Sequence, residues 1–515
     1  MVGGVKALIL LLVVVCVGCG TTKSLTKEES AKVIEAAIRK AAKKPTGELT
    51  KADLEKVTTL SLFSKNLTEV PKGLEKLTEL GTLYLGDNKL TDVKGLEKLT
   101  QLETPPLHLL SKQGCGRASG YAEANKIITA KRQTHVAWID SAPEGFRVRV
   151  ATLNRATGKW SPTYTIGQAK DNHGGPALTI DSEGYLHIAY FPHHDPFRYR
   201  RSKRPHDASE WEEEIQFGER LTYPTMICSA DNTLYFTARR SFSDRPWVVE
   251  LWEKKPGHDW HRVGPVMHSR HRGYAHFQES LAWGPGQKTI HLCCRFHELT
   301  DKSAYGRLQT VAYMKTDDFG RTWKRSDGSV ICKPITVDNI ETIARGGVDL
   351  QKSLRAGCMA VSPKGQPYLL YSTTAEQKGE AWLATPDGKG RWNRRRLNDH
   401  LPPEWRSFNL IMAGGLSFDH QGRLHGVGQL QTGEQNEKIW GDPTNEIVAF
   451  TVAGKGDIQF RAISKFDPKT SHWLPNIERS TGHNTVPSLP SVLFTGGAAG
   501  KANTDLLKNR VYFGR

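Results

Sequence analysis

"DSEGYLHIAY", residues 181–190, carries the pattern on which the fold turns. An Asp and a Gly make a tight turn, and apolar residues then recur at period two, as they do when a turn feeds a strand with one buried face. "SADNTLYFTA" (229–238), "SPKGQPYLLY" (362–371) and "DHQGRLHGVG" (419–428) repeat the theme. A second theme runs beside it. A Trp closes a polar turn in "TGKWSP", "ASEWEE", "GHDWHR", "GRTWKR", "KGRWNR" and "TSHWLP". These are Trp160, Trp211, Trp260, Trp323, Trp392 and Trp473, spaced by 51, 49, 63, 69 and 81 residues.

Repeating units of about 50–60 residues built from short strands are the sequence mark of a β-propeller. The stretch 121–515 holds about seven of them, so the expected fold class is all-β, a roughly seven-bladed propeller. One turn is sharper than the rest. "TDDFGRTW" (316–323) fits S/T-x-D-x-G-x-T-W and resembles the Asp-box hairpins of sialidase-type propellers. There Asp318 would cap the turn amides and Gly320 would take positive φ. Such a box marks fold, not activity.

Composition agrees. The chain has 515 residues, 38% hydrophobic and 24% charged, with 48 Gly and 13 Trp, which suits a turn-rich β protein. Net charge is +17. No nucleic-acid motif accompanies it and the basic residues are scattered, so nucleic acid is not an expected partner and a polyanion is. Six cysteines beyond residue 19 do not make a disulfide scaffold.

Upstream of 121 the organisation changes. Residues 1–19, "MVGGVKALILLLVVVCVGC", join an early Lys6 to an apolar run of secretory length. The run ends in Gly18-Cys19, which resembles a bacterial lipobox with Cys19 as the lipidated residue, although Cys16 holds the usual Leu position. The expectation is an exported lipoprotein held to the membrane at the cell envelope; a cleaved signal and a secreted chain is the alternative. Residues 20–27 read as a tether and 28–102 as a helical cap followed by leucine-rich repeats. Val33, Ile34, Ala37 and Ile38 have helical spacing. Leu60, Leu62 and Leu67 return 23 residues on as Leu83, Leu85 and Leu90. Asn88 sits where the Asn ladder of such repeats belongs, and Lys65 fills that slot in the first copy. The stub is short for a solenoid; a spacer and a protein-binding surface are both open. Residues 103–120, rich in Pro, Gly and Ser, read as the linker.

The densest stretch is "DNHGGPALTIDSEGYLHIAYFPHHDPFRYRRS", 171–202. It resembles the exported bacterial BNR-repeat propeller family that includes ulvan lyases. In that family a D-x-H turn opens a blade, D-x-x-G-x-h-H makes the next strand, and a second His precedes P-x-x-Y-R-R-S. The resemblance implies that His173 is catalytic together with a second histidine, most naturally His193, or His194 if the loop shifts by one; with His193 in that place, His194 is expected to contact substrate. It also implies a Tyr followed 16 residues later by an Arg, which "TYPTMICSADNTLYFTAR" supplies as Tyr223 and Arg239. Gly174 stands where the family often has Asn.

The residue types fit β-elimination of a uronate. A base removes the C5 proton, a cation neutralises the carboxylate, and an acid protonates the leaving O4. His173 and Tyr223 are expected as the acid/base pair, the phenol being lowered by Arg239. Arg239 is expected to grip the carboxylate with its fork, and His193 to position substrate or act as a base partner. His187 lies inside a strand and is expected to be structural. No cofactor is required. His276, Cys294 and His297 have spacing that suits a structural zinc, while Tyr274 and His276 are alternatively placed to line the site. The expected function is a polysaccharide lyase-like enzyme acting on acidic polysaccharide. The alternatives are a glycan-binding or protein-interaction surface protein, and a glycoside hydrolase-like propeller.

Overall fold

The computed structural model describes residues 26–515 except 58, 63–64, 71, 78–79, 81, 85–87, 89–106, 300–305, 433–440, 453–455, 465–466, 468 and 499–508. The signal segment with Cys19, most of the tether, and Leu85 and Leu90 of the second repeat lie outside the described residues. The chain divides into two compact units, Met1–Pro106 and Leu107–Arg515.

In the first unit a helix spans Lys27–Ala42, started by a Thr26/Glu29 capping box. Its Ile34 and Ile38 are buried, as the spacing predicts, against Leu60, Leu62, Leu67 and Leu83. Thr59–Ser61 and Thr82–Tyr84 pair in parallel, residue for residue at the 23-residue period. Asn88 links the two copies: its amide oxygen accepts from the backbone N–H of Lys65 (2.9 Å) and Leu67 (3.1 Å), and its amide donates to the Leu62 carbonyl (2.8 Å). The first copy therefore contributes Lys65 through its backbone, which is why its side chain need not be Asn.

The second unit is a run of antiparallel meanders, β-propeller-like, within a chain that is 53% strand and 8% helix. Ala177–Ile180, Leu186–Tyr190 and Asp195–Arg204 pair in succession. Ile215–Cys228, Leu234–Arg240, Pro246–Lys254 and His261–Arg272 continue the same sheet. Ala275–Trp283, Ile290–Glu298, Leu308–Thr316 and Glu341–Gly346 form the next, a four-stranded sheet. Strands buried along nearly their whole length, such as Ile290–Glu298, explain why alternation is weak there: both faces are covered by neighbouring sheets.

Turn chemistry places the strands. Asp181 Oδ1 accepts from the N–H groups of Glu183 (3.0 Å) and Tyr185 (2.8 Å), and Gly184 has φ +94°, where a Cβ would meet His206 Nε2 at 2.3 Å. Asp318 likewise caps Thr322 N–H at 2.9 Å, and Gly320 has φ +94°. The Trp turns mark sheet edges at Trp160, Trp211 and Trp392. Trp473 does not follow: it is fully buried inside Thr470–Ile477, with its indole N–H on the Gly116 carbonyl at 2.8 Å.

The expected linker at 103–120 is corrected. His108–Gly114 is a strand that pairs with the last strand, Asn509–Gly514, and through Gly114 reaches Gln133–Ala142. Two ends of the unit thus share one sheet, the closure a propeller needs to remove its open edges. The Pro, Gly and Ser of this stretch have a linker's composition, whereas a closing strand takes its partners from the far end of the chain, outside any local pattern.

Candidate active site

Asp171, His173 and His193 come together at the ends of two adjacent strands. His173 lies in the turn before Ala177–Ile180, and His193 in the loop between Leu186–Tyr190 and Asp195–Arg204. The turn is tight. A Cβ on residue 174 would meet the Phe191 carbonyl oxygen at 2.3 Å, so Gly174 is required by this packing. The loop is strained, with φ of +99° at Phe191 and +65° at His194, and Tyr223 beside it has φ +61° at a bulge in Ile215–Cys228. Left-handed backbone at non-glycine residues costs energy and clusters at functional sites.

One carboxylate serves both rings. Asp171 Oδ1 lies 3.0 Å from His173 Nδ1, and Oδ2 lies 2.6 Å from His193 Nδ1. The rings stack at 4.0 Å between centroids. Burial raises the Asp171 pKa, yet the hydrogen bonds from His173 and His193 outweigh it and hold the carboxyl well below its usual range. Burial lowers His173, against the opposing pull of Asp171. Donation of Nδ1–H from each ring to Asp171 fits the two contacts and turns each Nε2 toward other partners. For His173 that partner is Arg117, which lies 2.5 Å from Nε2 and also donates to Asn172 Oδ1 at 2.7 Å. Among the described residues, His193 Nε2 has no such partner. His194 stacks on His193 at 4.6 Å and its Nδ1 meets Ser241 Oγ at 2.6 Å. Burial, then Arg239, pushes its pKa down to about 4.

Tyr223 closes the cluster. Its ring lies 6.2 Å from that of His173, 5.2 Å from Tyr121 and 4.7 Å from His276. The expected lowering of its phenol is overturned. Burial raises it well above the usual value, Tyr121 adds to this, and Arg239 opposes without winning. Tyr223 is therefore a firmly protonated donor. Arg239, paired across the sheet with Thr222, is wholly buried. Its guanidinium carbon lies 4.6 Å from the Tyr223 ring centre, 4.8 Å from Trp247 and 5.6 Å from Tyr274. Nη2 is 3.4 Å from His194 Nε2, while Nε and Nη1 have no partner among the described residues. A direct fork on substrate, as expected from sequence, is not available to a residue with no exposed surface. Its charge lies against the Tyr223 ring. Tyr274, by contrast, is exposed at the rim.

The zinc set is also corrected. Cys294 faces a core of Phe277, Leu281 and Phe296, whereas His297, three residues along the strand, points to its other face. His276 pairs with His297 in register and turns toward Tyr223 and Arg295. Burial, then Arg295, holds it far below the usual histidine value. Among the described residues, the donor atoms at metal-ligand spacing are those of Asp171, His173 and His193, within 4.8 Å of one another. His187 is structural as expected: it is buried between Tyr199 OH (2.6 Å) and Asp181 Oδ2 (3.1 Å).

Fold and cluster together define a β-propeller-like protein with a histidine, tyrosine and arginine centre at its strand ends. The chain belongs to the BNR repeat-containing family, whose pattern matches residues 133–400. It is 24% identical over 283 residues to Ulvan Lyase-PL25 of Pseudoalteromonas sp. (strain PLSV), covering 47% of this chain and 57% of that one. It is 24% identical over 225 residues to an ulvan lyase of Alteromonas sp. (strain LOR), covering 36% and 46%. The chain thus spans about half the length of the curated relatives it matches. Its fold is like that of a PL25 ulvan lyase solved bound to -[GlcA(1-4)Rha3S]-, with TM-score 0.59 at 16% identity over 78% of this chain and 95% of that chain. It is also like polysaccharide lyase Uly1, with TM-score 0.54 at 15% identity over 80% and 100%.

Proposed function

We propose that this protein is a polysaccharide lyase-like enzyme that cleaves a uronate-containing acidic polysaccharide of the ulvan type by β-elimination. The observation that carries the reading is the carboxylate of Asp171 bridging His173 and His193 beside Tyr223 and the buried Arg239.

His193 Nε2, its lone pair free, takes the C5 proton. The C5–H electron pair becomes the C4=C5 double bond as the C4–O4 bond breaks, and the Tyr223 hydroxyl gives its proton to O4. His193 then releases its proton to solvent and Tyr223 regains one. Arg239 against Tyr223 and Arg117 beside His173 supply the positive field that lowers the energy of the enolate-like state, a stabilisation strongest where water is excluded. His173, capped by Arg117, positions Asp171 and substrate. No resident cofactor enters this scheme. Seven four-stranded blades would carry the site, on an exported chain anchored through Cys19, with the leucine-rich stub as spacer or protein-binding surface.

A second reading, glycan binding without cleavage, is favoured by the deep burial of Arg239 and Tyr223. Mass spectrometry of products from the full chain incubated with uronate-containing polysaccharides separates the readings. Elimination gives fragments whose masses add up with no water gained. Hydrolysis gains one water per cut. Retention of intact polymer with no fragments supports binding alone.

A further inference from the structure

A pocket that shares no residue with the histidine cluster opens on the sheet of Asn409–Phe418, Leu424–Gln431, Glu446–Val452 and Ile458–Ala462. Its volume is about 410 Å³, within the usual range for small-molecule sites. Trp405, Phe408, Leu430 and Val448 give it an apolar wall, and Glu446 reaches into that wall.

Glu446 is unusual in what it lacks. Its Oε2 accepts from Ser464 Oγ, but its buried Oε1 has no partner among the described residues. Among the described residues no Lys or Arg pairs with it. His472 Nδ1 is 3.9 Å from Oε2, beyond hydrogen-bond reach, and burial pushes that histidine down to about 4. Burial first, with Asp467 adding, pushes the Glu446 carboxyl up to about 7, against the pull of Ser464. A carboxyl left half-satisfied in an apolar cup is costly, and that cost is relieved by a partner able to meet the charge there.

The lining selects among partners. An anion would meet the carboxylate. A sugar needs several free hydrogen-bonding groups, but Thr444 Oγ1 is engaged with Asp442 (2.6 Å) and Thr432 N–H (3.1 Å), and Ser464 Oγ with Glu446 and Ile447 N–H (2.7 Å). A cation gains from the carboxylate and from the faces of indole and phenyl rings. We propose that this pocket binds a small organic cation, an alkyl- or arylammonium whose charged head meets Glu446 and whose apolar body lies against Trp405, Phe408, Leu430 and Val448.

Titration calorimetry of the full chain with benzyltrimethylammonium chloride tests this, with benzyl alcohol and glucose as neutral probes. The expected result is saturable one-site binding of the ammonium alone. At pH 6, two buffers of different ionisation heat should reveal release of about one proton, because binding ionises Glu446. Glu446→Gln, a near copy of the neutral acid, should weaken binding by about tenfold or more, and Trp405→Ala should also weaken it. Both variants should keep a cooperative melt, and His173→Ala should bind the ammonium like the parent. Absence of saturable ammonium binding, equal binding of benzyl alcohol, saturable binding of glucose, or unchanged affinity in Glu446→Gln would each overturn the proposal.

Discussion

Asp171 sets two imidazoles with one carboxylate, so its replacement should act on both. In Asp171→Asn the amide can accept from only one ring, and the other loses the bond that fixes its tautomer. Rate on acidic polysaccharide should fall by roughly 10²–10⁴-fold, the scale seen when a histidine loses its orienting carboxylate, with little change in melting temperature. Steady-state rates and a thermal melt check both parts. Because each Nδ1 lies against Asp171, a metal ion held by Asp171, His173 and His193 together would have to displace those hydrogen bonds, and dialysis against a chelator should leave the rate unchanged; loss of rate restored by a divalent cation would contradict this. His173, His193, Tyr223 and Arg239 were legible in the sequence through the resemblance of its short motifs to those of the BNR-repeat propeller family. Asp171 was visible in the same D-x-H turn, but its bridging role needed the second ring in place. Arg117 and Tyr121 were not legible. They lie in or beside a stretch that reads as linker, and the closed sheet alone brings them to residues 171–223. The burial that overrides Arg239 at the Tyr223 phenol is likewise a tertiary property.

At the scale of elements, one turn-and-strand device appears twice. Asp181 and His187 meet at 3.1 Å, and Asp419 and His425 meet at 2.9 Å, each Asp six residues before its His and capping its own turn. The second pair lies in the sheet of the Glu446 pocket, which identifies both as fold-making parts. His187→Ala should therefore lower stability by about 1–3 kcal/mol, the cost of stranding a buried partner, and leave kcat/KM of the folded protein unchanged. A specific loss of kcat with a normal melt would place His187 in the chemistry instead. Alternation also decides the fate of Cys294. Period two sends it and His297 to opposite faces, a constraint that ligand spacing counted along the chain does not contain. The Trp turns were a sound guide at the edges of sheets and failed at Trp473, where the same residue type fills a core.

For the whole molecule, closure by His108–Gly114 sets the boundary of the folding unit. A fragment of residues 107–515 should melt cooperatively, while a fragment beginning at 121 lacks the closing strand and should melt many degrees lower or lose cooperativity. Equal melts would show that the pairing with Asn509–Gly514 contributes little. Acid should destabilise the protein before ordinary carboxylates titrate. Burial holds His135 and His297 at about 3 and His291 and His472 at about 4. The unfolded chain protonates them near 6.5, so their contribution is present above that pH and is lost as pH falls toward the folded values. Glu123, Asp140, Glu279, Glu446 and Glu478, raised by burial, work in the opposite sense. The lowered histidines are more numerous, since His173, His187, His194, His206, His268, His276 and His425 join those four. The melting temperature should thus drop between pH 7 and pH 5.

In the proposed reaction one carboxylate-bridged histidine pair and one protonated tyrosine cut a uronate polysaccharide by elimination. Its most direct test is the initial rate at which ultraviolet absorbance of an unsaturated uronate appears from an ulvan-type polysaccharide, measured for the parent protein, His193→Ala and Tyr223→Phe at equal folded concentration. A steady rise is expected with the parent, and a loss of at least about 10²-fold in each variant. A flat trace with the parent across uronate-containing substrates, or a parent-like rate in either variant, would contradict it.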